Sequence, residues 1–155
     1  MRHLILDAIT ECEDQTLRLG ERFGAALRDR AVVGLIGTLG AGKTRLAQGI
    51  ARGAGFDGRV RSPSFALLHI YRGRRLIRHI DLYRLDRLDD GTAGEWEEMF
   101  DTDGISLIEW ADRIPELLPP EAIRVEIQIE GETRRRIRIA APLPGRVLAD
   151  WRIAR

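Results

Sequence analysis

The segment that decides the fold is Gly37-Thr38-Leu39-Gly40-Ala41-Gly42-Lys43-Thr44, which matches the phosphate-binding pattern G-x-x-x-x-G-K-T at every fixed position. Residues 31–36 precede it as a continuous apolar run, which predicts a strand buried on both faces. A helix is predicted to follow, through about Ala54. Strand, glycine-rich turn and helix in this order are the context that a phosphate-binding loop (P-loop) requires.

Lys43 is the only lysine among the 25 lysines and arginines of the chain. An ammonium group is compact enough to reach between two phosphates inside a ring of backbone amides, whereas the planar guanidinium of arginine is wider. The loop N–H groups form an anion-binding nest, and the Thr44 hydroxyl is placed to contact Mg²⁺. We therefore predict a nucleotide-binding site at residues 37–44.

The composition predicts one globular domain spanning residues 1–155, with 44% hydrophobic and 32% charged residues. With a net charge of +1, the chain lacks the strong electrostatic field that attracts DNA or a membrane surface. For the same reason, strong independent binding to RNA is not expected. No segment approaches the roughly 18 apolar residues of a membrane span. Cys12 is the only cysteine, which excludes an internal disulfide and fits a reducing cytoplasm, where we expect the protein to reside.

The remaining patterns predict an α/β fold of the P-loop NTPase type, with a mixed sheet, flanking helices and a C-terminal antiparallel hairpin. A helix is predicted over residues 10–28, capped by Thr10 or Asp14, and a short terminal helix over 146–153. Residues 86–94 are predicted to be a loop or a short helix. The candidate strands are residues 65–71, 76–80, 105–109, 123–130 and 136–139.

Two acids at the ends of predicted strands are candidates for the magnesium-binding acid that a P-loop NTPase needs. Asp81 follows the strand 76–80, and Glu109 ends the strand 105–109. An acid after a strand is more often solvated or a helix cap, but the P-loop favours the functional interpretation. One division gives Glu109 to the metal and Asp81 to the attacking water or the water shell of the metal; the reverse division stays open.

Three other features each leave two interpretations open. Ser62 and Ser64 are interpreted either as an ordinary Ser-Pro turn or as a switch segment that senses the γ-phosphate. Their spacing favours the turn. For the run Arg134-Arg135-Arg136, the favoured interpretation is pairing with glutamates of the preceding strand. The alternative is contact with a nucleotide, an RNA backbone or a protein. Trp96 and Trp151 are interpreted as packing or interface residues.

The absence of asparagine from the chain excludes the N-K-x-D motif with which GTPases read guanine, and this favours ATP. Small-molecule kinases usually carry a lid or substrate domain with phosphate-clamping arginines, for which this chain has limited room. A small metabolite kinase remains the alternative to an ATPase. A non-catalytic nucleotide-binding adaptor is a third hypothesis.

Together with the P-loop, four segments resemble the TsaE (YjeE) family, bacterial ATPases of tRNA threonylcarbamoyladenosine synthesis. The segments are Asp14-Gln15-Thr16-Leu17-Arg18-Leu19-Gly20, Ser62-Pro63-Ser64-Phe65, His79-Ile80-Asp81-Leu82-Tyr83-Arg84-Leu85 and Leu107-Ile108-Glu109-Trp110. Their order and spacing fit over roughly residues 5–140. The departures, Ser64 for a threonine, Arg61 for a lysine and Ala111 for a proline, leave the resemblance intact.

The resemblance implies a magnesium-dependent ATPase that acts on the TsaB–TsaD pair and meets tRNA only indirectly. In the family, TsaB–TsaD transfers the threonylcarbamoyl group, and ATP turnover by TsaE resets or licenses that assembly.

The resemblance also implies roles for individual residues of the site. Lys43 and Thr44 would hold phosphate and metal, Glu109 would take the Walker B-like metal position, and Asp81 would activate the water. Trp110 resembles the family's tryptophan beside the nucleotide. Weaker candidates for contacts to the adenosine are Thr16 and Asp112.

Overall fold

The computed structural model describes residues 1–63, 67–85, 87 and 89–149. The strands are β1 (His3–Thr10), β2 (Val32–Ile36), β3 (Leu68–Arg72), β4 (Leu76–Asp81), β5 (Ile105–Glu109), β6 (Ile123–Ile129) and β7 (Arg135–Ala141). The α-helices are α1 (Glu13–Ala26), α2 (Lys43–Gly53), α3 (Asp90–Phe100) and α4 (Pro144–Val147). Two 3-10 turns lie at Ala111–Arg113 and Pro115–Leu117. None of these described helices has the length and apolar character needed to cross a bilayer.

The described strands form one seven-stranded sheet in the order β1-β7-β6-β2-β5-β4-β3. β2 pairs in parallel with β5 and β6, and β4 pairs in parallel with β5. The outer pairs β1–β7, β6–β7 and β3–β4 are antiparallel. The predicted mixed α/β fold of the P-loop type is therefore confirmed, and the carboxyl ends of β2, β4 and β5 meet at one edge of the sheet.

The sheet separates two hydrophobic cores. On one face, α1 and α2 cover a large core that includes Phe23, Leu35 and Ile50. On the other face, α3 and the two 3-10 turns cover a smaller core that contains Ile108 and Trp96. Trp96 is thus a packing residue, as predicted, whereas Trp151 lies outside the described residues.

Helices α1 and α2 contact each other through two glycines on each helix. These are Gly20 and Gly24 of α1, and Gly49 and Gly53 of α2. A Cβ atom added at Gly20 would lie 2.7 Å from the carbonyl oxygen of Leu46. At each of the other three positions, an added Cβ would overlap a backbone carbonyl oxygen of the facing helix. The two backbones are therefore as close as they can be, and this contact holds the P-loop helix α2 against α1.

We expect Gly49→Ala to lower the free energy of unfolding by about 1–3 kcal/mol, because the new methyl group overpacks a backbone-to-backbone contact. Gly94→Ala is the matched control, since Gly94 is exposed in α3 and an added Cβ there has no described neighbour within 4 Å. In this control, alanine should raise stability by about 0.5–1 kcal/mol through helix propensity. Urea denaturation of both variants measures the difference, and equal stabilities would contradict the packing argument.

The structure corrects the prediction at the N-terminus. Residues 3–10 form the edge strand β1, which the sequence analysis missed, and the helix predicted from residue 10 begins at Glu13. The N-cap is Cys12, and no side chain caps the helix, so the prediction of a Thr10 or Asp14 cap is wrong. Thr10 is held instead in β1, where its hydroxyl lies 2.8 Å from that of Thr16.

Three other predicted boundaries also change. Within residues 86–94, a helix starts at Asp90 and continues to Phe100, and the Asp89 carboxylate caps it by accepting the Thr92 N–H at 2.8 Å. Of the terminal helix predicted over residues 146–153, residues 150–153 lie outside the described part. The described residues form the short α4, which ends at Val147, and Leu148 bridges Leu27. β3 starts at residue 68, and residues 64–66 of the segment before it lie outside the described part.

The arginine run of the hairpin pairs with acids in or just after the two strands beside it. Arg134 lies 3.8 Å from Glu130, one residue after the end of β6 and so just outside the strand where the favoured interpretation placed its partners, and 3.8 Å from Glu11. Arg136 donates two hydrogen bonds, of 2.8 and 2.7 Å, to Asp7 of β1. The hydrogen bond from Arg136 lowers the pKa of the Asp7 carboxyl group. These pairs fix β1 at the edge of the sheet.

Candidate functional site

The loop between β2 and α2 takes a conformation that requires glycine at two positions. Gly40 and Gly42 have φ angles of +78° and +107°, in the left-handed region that residues with a Cβ rarely adopt. Gly42 is the N-cap of α2. The Ala41 N–H donates to the Thr38 carbonyl at 3.0 Å, which closes the turn. The loop thus brings the amino end of α2, with its partial positive charge, to the carboxyl edge of the sheet.

The Lys43 ammonium is held by the loop itself. Its Nζ donates to the carbonyl oxygens of Gly37 and Thr38 at 2.7 and 2.9 Å. The same nitrogen lies 3.9 Å from the centre of the Trp110 ring system, a cation–π distance. The side chain is buried, so the positive charge is fixed in position before any ligand binds.

The electrostatic surroundings of Lys43 act in two directions. Burial lowers the pKa of the ammonium group, and the carboxylates of Glu109, Asp112 and Asp81 raise it. The predicted acids therefore face the predicted phosphate-binding cation. Such a cluster of opposite charges in a cleft is typical of a functional site.

The two candidate acids lie side by side at the ends of parallel strands. Asp81 of β4 is paired in register with Glu109 of β5, and both are buried. Glu109 Oε1 accepts a hydrogen bond of 2.9 Å from the Thr44 hydroxyl. Asp81 accepts from the Ser62 hydroxyl and from the Tyr83 N–H, both at 2.8 Å. Glu109 thus faces the P-loop, and Asp81 faces the segment that contains Ser62.

These groups surround one open cavity of about 540 Å³. Its described lining combines the P-loop, both acids and the aromatic residue after Glu109: Glu13, Leu39, Gly40, Gly42, Lys43, Thr44, Arg45, Gln48, Ser62, Asp81, Tyr83, Arg84, Glu109 and Trp110. A cavity of this size can hold a small-molecule ligand of nucleotide size.

Thr16 and Asp112 do not line this main cavity. Thr16 lines a smaller cavity of about 170 Å³ beside the P-loop, together with Gly40 and Arg135. Asp112 is exposed in the 3-10 turn after Trp110, and its charge acts on Lys43. The structure therefore places Thr16 beside the loop and Asp112 near the cation.

Trp110 adopts a left-handed backbone conformation, with φ 57° and ψ 39°. For a residue other than glycine this costs about 1–3 kcal/mol, and such strain clusters at functional sites. The conformation follows directly after Glu109 and places the indole against Lys43. The Tyr83 ring packs on the indole with centroids 4.8 Å apart, so two aromatic rings form one wall of the cavity.

Sequence reasoning missed the contacts that two residues, His79 and Arg135, make at the site. His79 was not named as a site residue from the sequence, but its Nε2 lies 2.6 Å from Glu109 Oε2. The signal was present, because residues 77, 79 and 81 alternate and share one face of β4. Arg135 donates to the carbonyl oxygens of Ala41 and Gly40 at 3.0 and 3.3 Å, a contact that no local pattern indicates.

The oxygen ligands at the site fit magnesium. The Thr44 hydroxyl and the Glu109 carboxylate offer two adjacent oxygens, and the chemistry of Mg²⁺ favours one or two carboxylates together with phosphate oxygens and water. Among the described residues, no group of three histidines, cysteines or acids forms a metal site made of protein alone. The arrangement therefore suits a metal that arrives with a nucleotide.

Comparison with known proteins agrees with these observations. Residues 10–137 match the model of the family described as threonylcarbamoyl adenosine biosynthesis protein TsaE. A tRNA threonylcarbamoyladenosine biosynthesis protein TsaE from Treponema pallidum is 35% identical over 133 residues, 85% of this chain and 98% of the relative. The protein of the same name from Mycobacterium leprae is 39% identical over 141 residues, 85% and 86% of the two chains. The crystal structure of Bacillus subtilis YdiB superposes with a TM-score of 0.77 at 30% identity, covering 91% of this chain and 87% of YdiB.

Proposed function

This chain belongs to the TsaE family, and we propose on that basis that it is a magnesium-dependent ATPase of tRNA threonylcarbamoyladenosine biosynthesis that acts on the TsaB–TsaD complex. The observation that carries the proposal is the 2.9 Å hydrogen bond between the Thr44 hydroxyl and Glu109. It joins the last residue of the P-loop to an acid at the end of a parallel strand. P-loop NTPases build their magnesium site from these two elements.

The P-loop binds the phosphates of ATP. Its inward-facing N–H groups and the amino end of α2 offer a positive partial charge, and Lys43 contributes a full one. Lys43 exchanges its bonds to the carbonyls of Gly37 and Thr38, wholly or in part, for phosphate oxygens. Thr44 and Glu109 would hold Mg²⁺, and the bound metal would neutralise part of the phosphate charge.

Asp81 is the residue that prepares the attacking water. Its carboxylate lines the cavity and is oriented by the Ser62 hydroxyl and by the Tyr83 N–H. It accepts a proton from the water as the new bond to the γ-phosphorus forms and the bond to the leaving ADP oxygen breaks. The products are ADP and phosphate, with the water proton on Asp81.

Exposed apolar side chains at the mouth of the cavity support the role of a protein partner. Leu39, in the middle of the P-loop, is 74% exposed, and Tyr83 is 43% exposed. Apolar groups beside a polar site are typical of a surface that a partner covers. TsaB–TsaD is the partner that the family assignment proposes, in the cytoplasm. The net charge of +1 supports only indirect contact with tRNA.

We expect the purified protein to release phosphate from ATP and Mg²⁺ without a small-molecule acceptor, and TsaB–TsaD to raise the rate. A malachite green assay with and without the complex measures this. Lys43→Ala is the control and should lose at least about 100-fold of the rate. A rate that neither TsaB–TsaD nor Lys43→Ala changes would refute the proposal. Turnover that depends on an added metabolite would instead indicate a kinase.

A further inference from the structure

The Glu109 carboxylate is held from two sides by groups of different kinds. Oε1 accepts from the Thr44 hydroxyl at 2.9 Å, and Oε2 lies 2.6 Å from Nε2 of His79. His79 is 0% exposed and Glu109 is 2% exposed, so the hydrogen bond between them is buried. Because a carboxylate only accepts, Nε2 donates in this hydrogen bond. The plane of the carboxylate is therefore fixed before a metal binds.

The second nitrogen of His79 is connected to a tyrosine. Nδ1 lies 3.2 Å from the Tyr71 hydroxyl oxygen, which also lies 2.9 Å from the Arg61 carbonyl oxygen. Because Nε2 donates to Glu109, a neutral imidazole accepts at Nδ1, and the single Tyr71 proton is shared between Nδ1 and this carbonyl oxygen. The Arg61 N–H also approaches this hydroxyl, at 3.3 Å. Burial raises the pKa of Tyr71, so the phenol stays neutral. Tyr71 thus ties the imidazole to the backbone of the segment that follows the P-loop helix.

This backbone leads directly to the other acid. Ser62 is the neighbour of Arg61, and its hydroxyl donates to Asp81 Oδ2 at 2.8 Å. Asp81 and Glu109 are themselves paired in register. Hydrogen bonds and the Arg61–Ser62 backbone therefore link one acid to the other by way of His79 and Tyr71.

We infer that His79 is a positioning residue, which fixes the Glu109 carboxylate for magnesium and couples it through Tyr71 to the Arg61–Ser62 segment that holds Asp81. The inference rests on the proposed function, since it concerns the same site. Groups that hydrogen-bond to a metal ligand orient it, and their loss typically costs about 10–100-fold in metal affinity or activity. A histidine that only filled space would have no such effect.

The test compares two substitutions of His79. Leucine fills space but leaves Oε2 without its donor, whereas the amide nitrogen of glutamine can donate in place of Nε2. In His79→Leu, we expect kcat for ATP hydrolysis to fall about 10–100-fold, with a smaller change in KM for ATP. The Mg²⁺ concentration for half-maximal rate should rise. His79→Gln should recover most of both losses.

A binding experiment reads the same effect without turnover. Fluorescent mant-ADP is titrated into each variant in EDTA and in Mg²⁺. His79→Leu should bind as wild type in EDTA and lose most of the gain in affinity that Mg²⁺ gives. His69→Leu is the matched control, because His69 lies opposite His79 in register and 3.5 Å from the same Tyr71 hydroxyl, yet has no described bond to Glu109.

The outcomes separate the inference from the proposed function. A wild-type protein that hydrolyses no ATP, alone or with TsaB–TsaD, would refute the function, and the mant-ADP titration would still test His79. Equal losses in His79→Leu and His79→Gln, or an unchanged response to Mg²⁺ in a folded His79→Leu, would overturn the inference. If His79→Leu does not fold, His79→Gln and Tyr71→Phe decide. A selective loss of the Mg²⁺ gain in Tyr71→Phe, with the gain near that of wild type in His79→Gln, supports the inference; an unchanged gain in Tyr71→Phe, or a lost gain in His79→Gln, overturns it.

Discussion

Lys43→Arg is expected to lose about 100- to 1,000-fold of the ATPase rate, although it keeps the positive charge. The Lys43 Nζ sits 2.7 and 2.9 Å from two loop carbonyls and 3.9 Å from the centre of the Trp110 ring system. These three contacts leave space for a compact ammonium. A planar guanidinium is wider and must displace either the indole or the loop. Every other lysine-or-arginine position in this chain is arginine, so arginine at position 43 would match the rest of the chain in composition.

Phosphate release and mant-ADP affinity of Lys43→Arg, measured beside wild type, check this expectation. Thermal unfolding of both proteins shows that the fold is retained. The reverse exchange, Arg124→Lys, is the control for the change of cation, because Arg124 is exposed on β6 away from the cavity lining. It should leave the rate unchanged. A fully active Lys43→Arg protein would mean that charge alone suffices at this position.

The parts of the fold that the sequence predicted well are those with a local signal. The strand 105–109 was predicted with its true bounds, because a short apolar run that ends in an acid has few other interpretations. The same pattern predicted Asp81 and Glu109 at neighbouring strand ends, and the structure brings them into register. For Ser62, the hydrogen bond to Asp81 supports a role in the site over an ordinary turn.

The missed elements depend on contacts between distant residues. β1 is an edge strand that is specified by pairing with β7, more than 120 residues later in the chain. The close contact of α1 with α2 is made by glycines such as Gly24 and Gly49, and a search for apolar stripes does not register residues without side chains. His79 was missed for another reason, since its face of β4 was predictable but its partner lies on β5.

The two acids are expected to fail in different ways, and this is the test of their roles. Asp81→Asn should lower turnover about 10²- to 10⁴-fold, the usual contribution of a general base. Nucleotide affinity, including the gain from Mg²⁺, should be retained, because Asp81 bonds to Ser62 and Tyr83 and not to the P-loop. Glu109→Gln should lose both turnover and the Mg²⁺-dependent affinity, because Glu109 is bonded to Thr44.

Single-turnover ATP hydrolysis and mant-ADP titrations with Mg²⁺ or EDTA separate these two patterns. Asp57→Asn is the control, since Asp57 is exposed in the loop after α2 and does not line the cavity. Loss of the Mg²⁺ gain in Asp81→Asn, with the gain intact in Glu109→Gln, would reverse the assignment. The hydrogen bonds argue against that reversal. Glu109 accepts a hydrogen bond from the Thr44 hydroxyl, the group that P-loop NTPases use for the metal, whereas Asp81 is oriented by Ser62, which lies outside the P-loop.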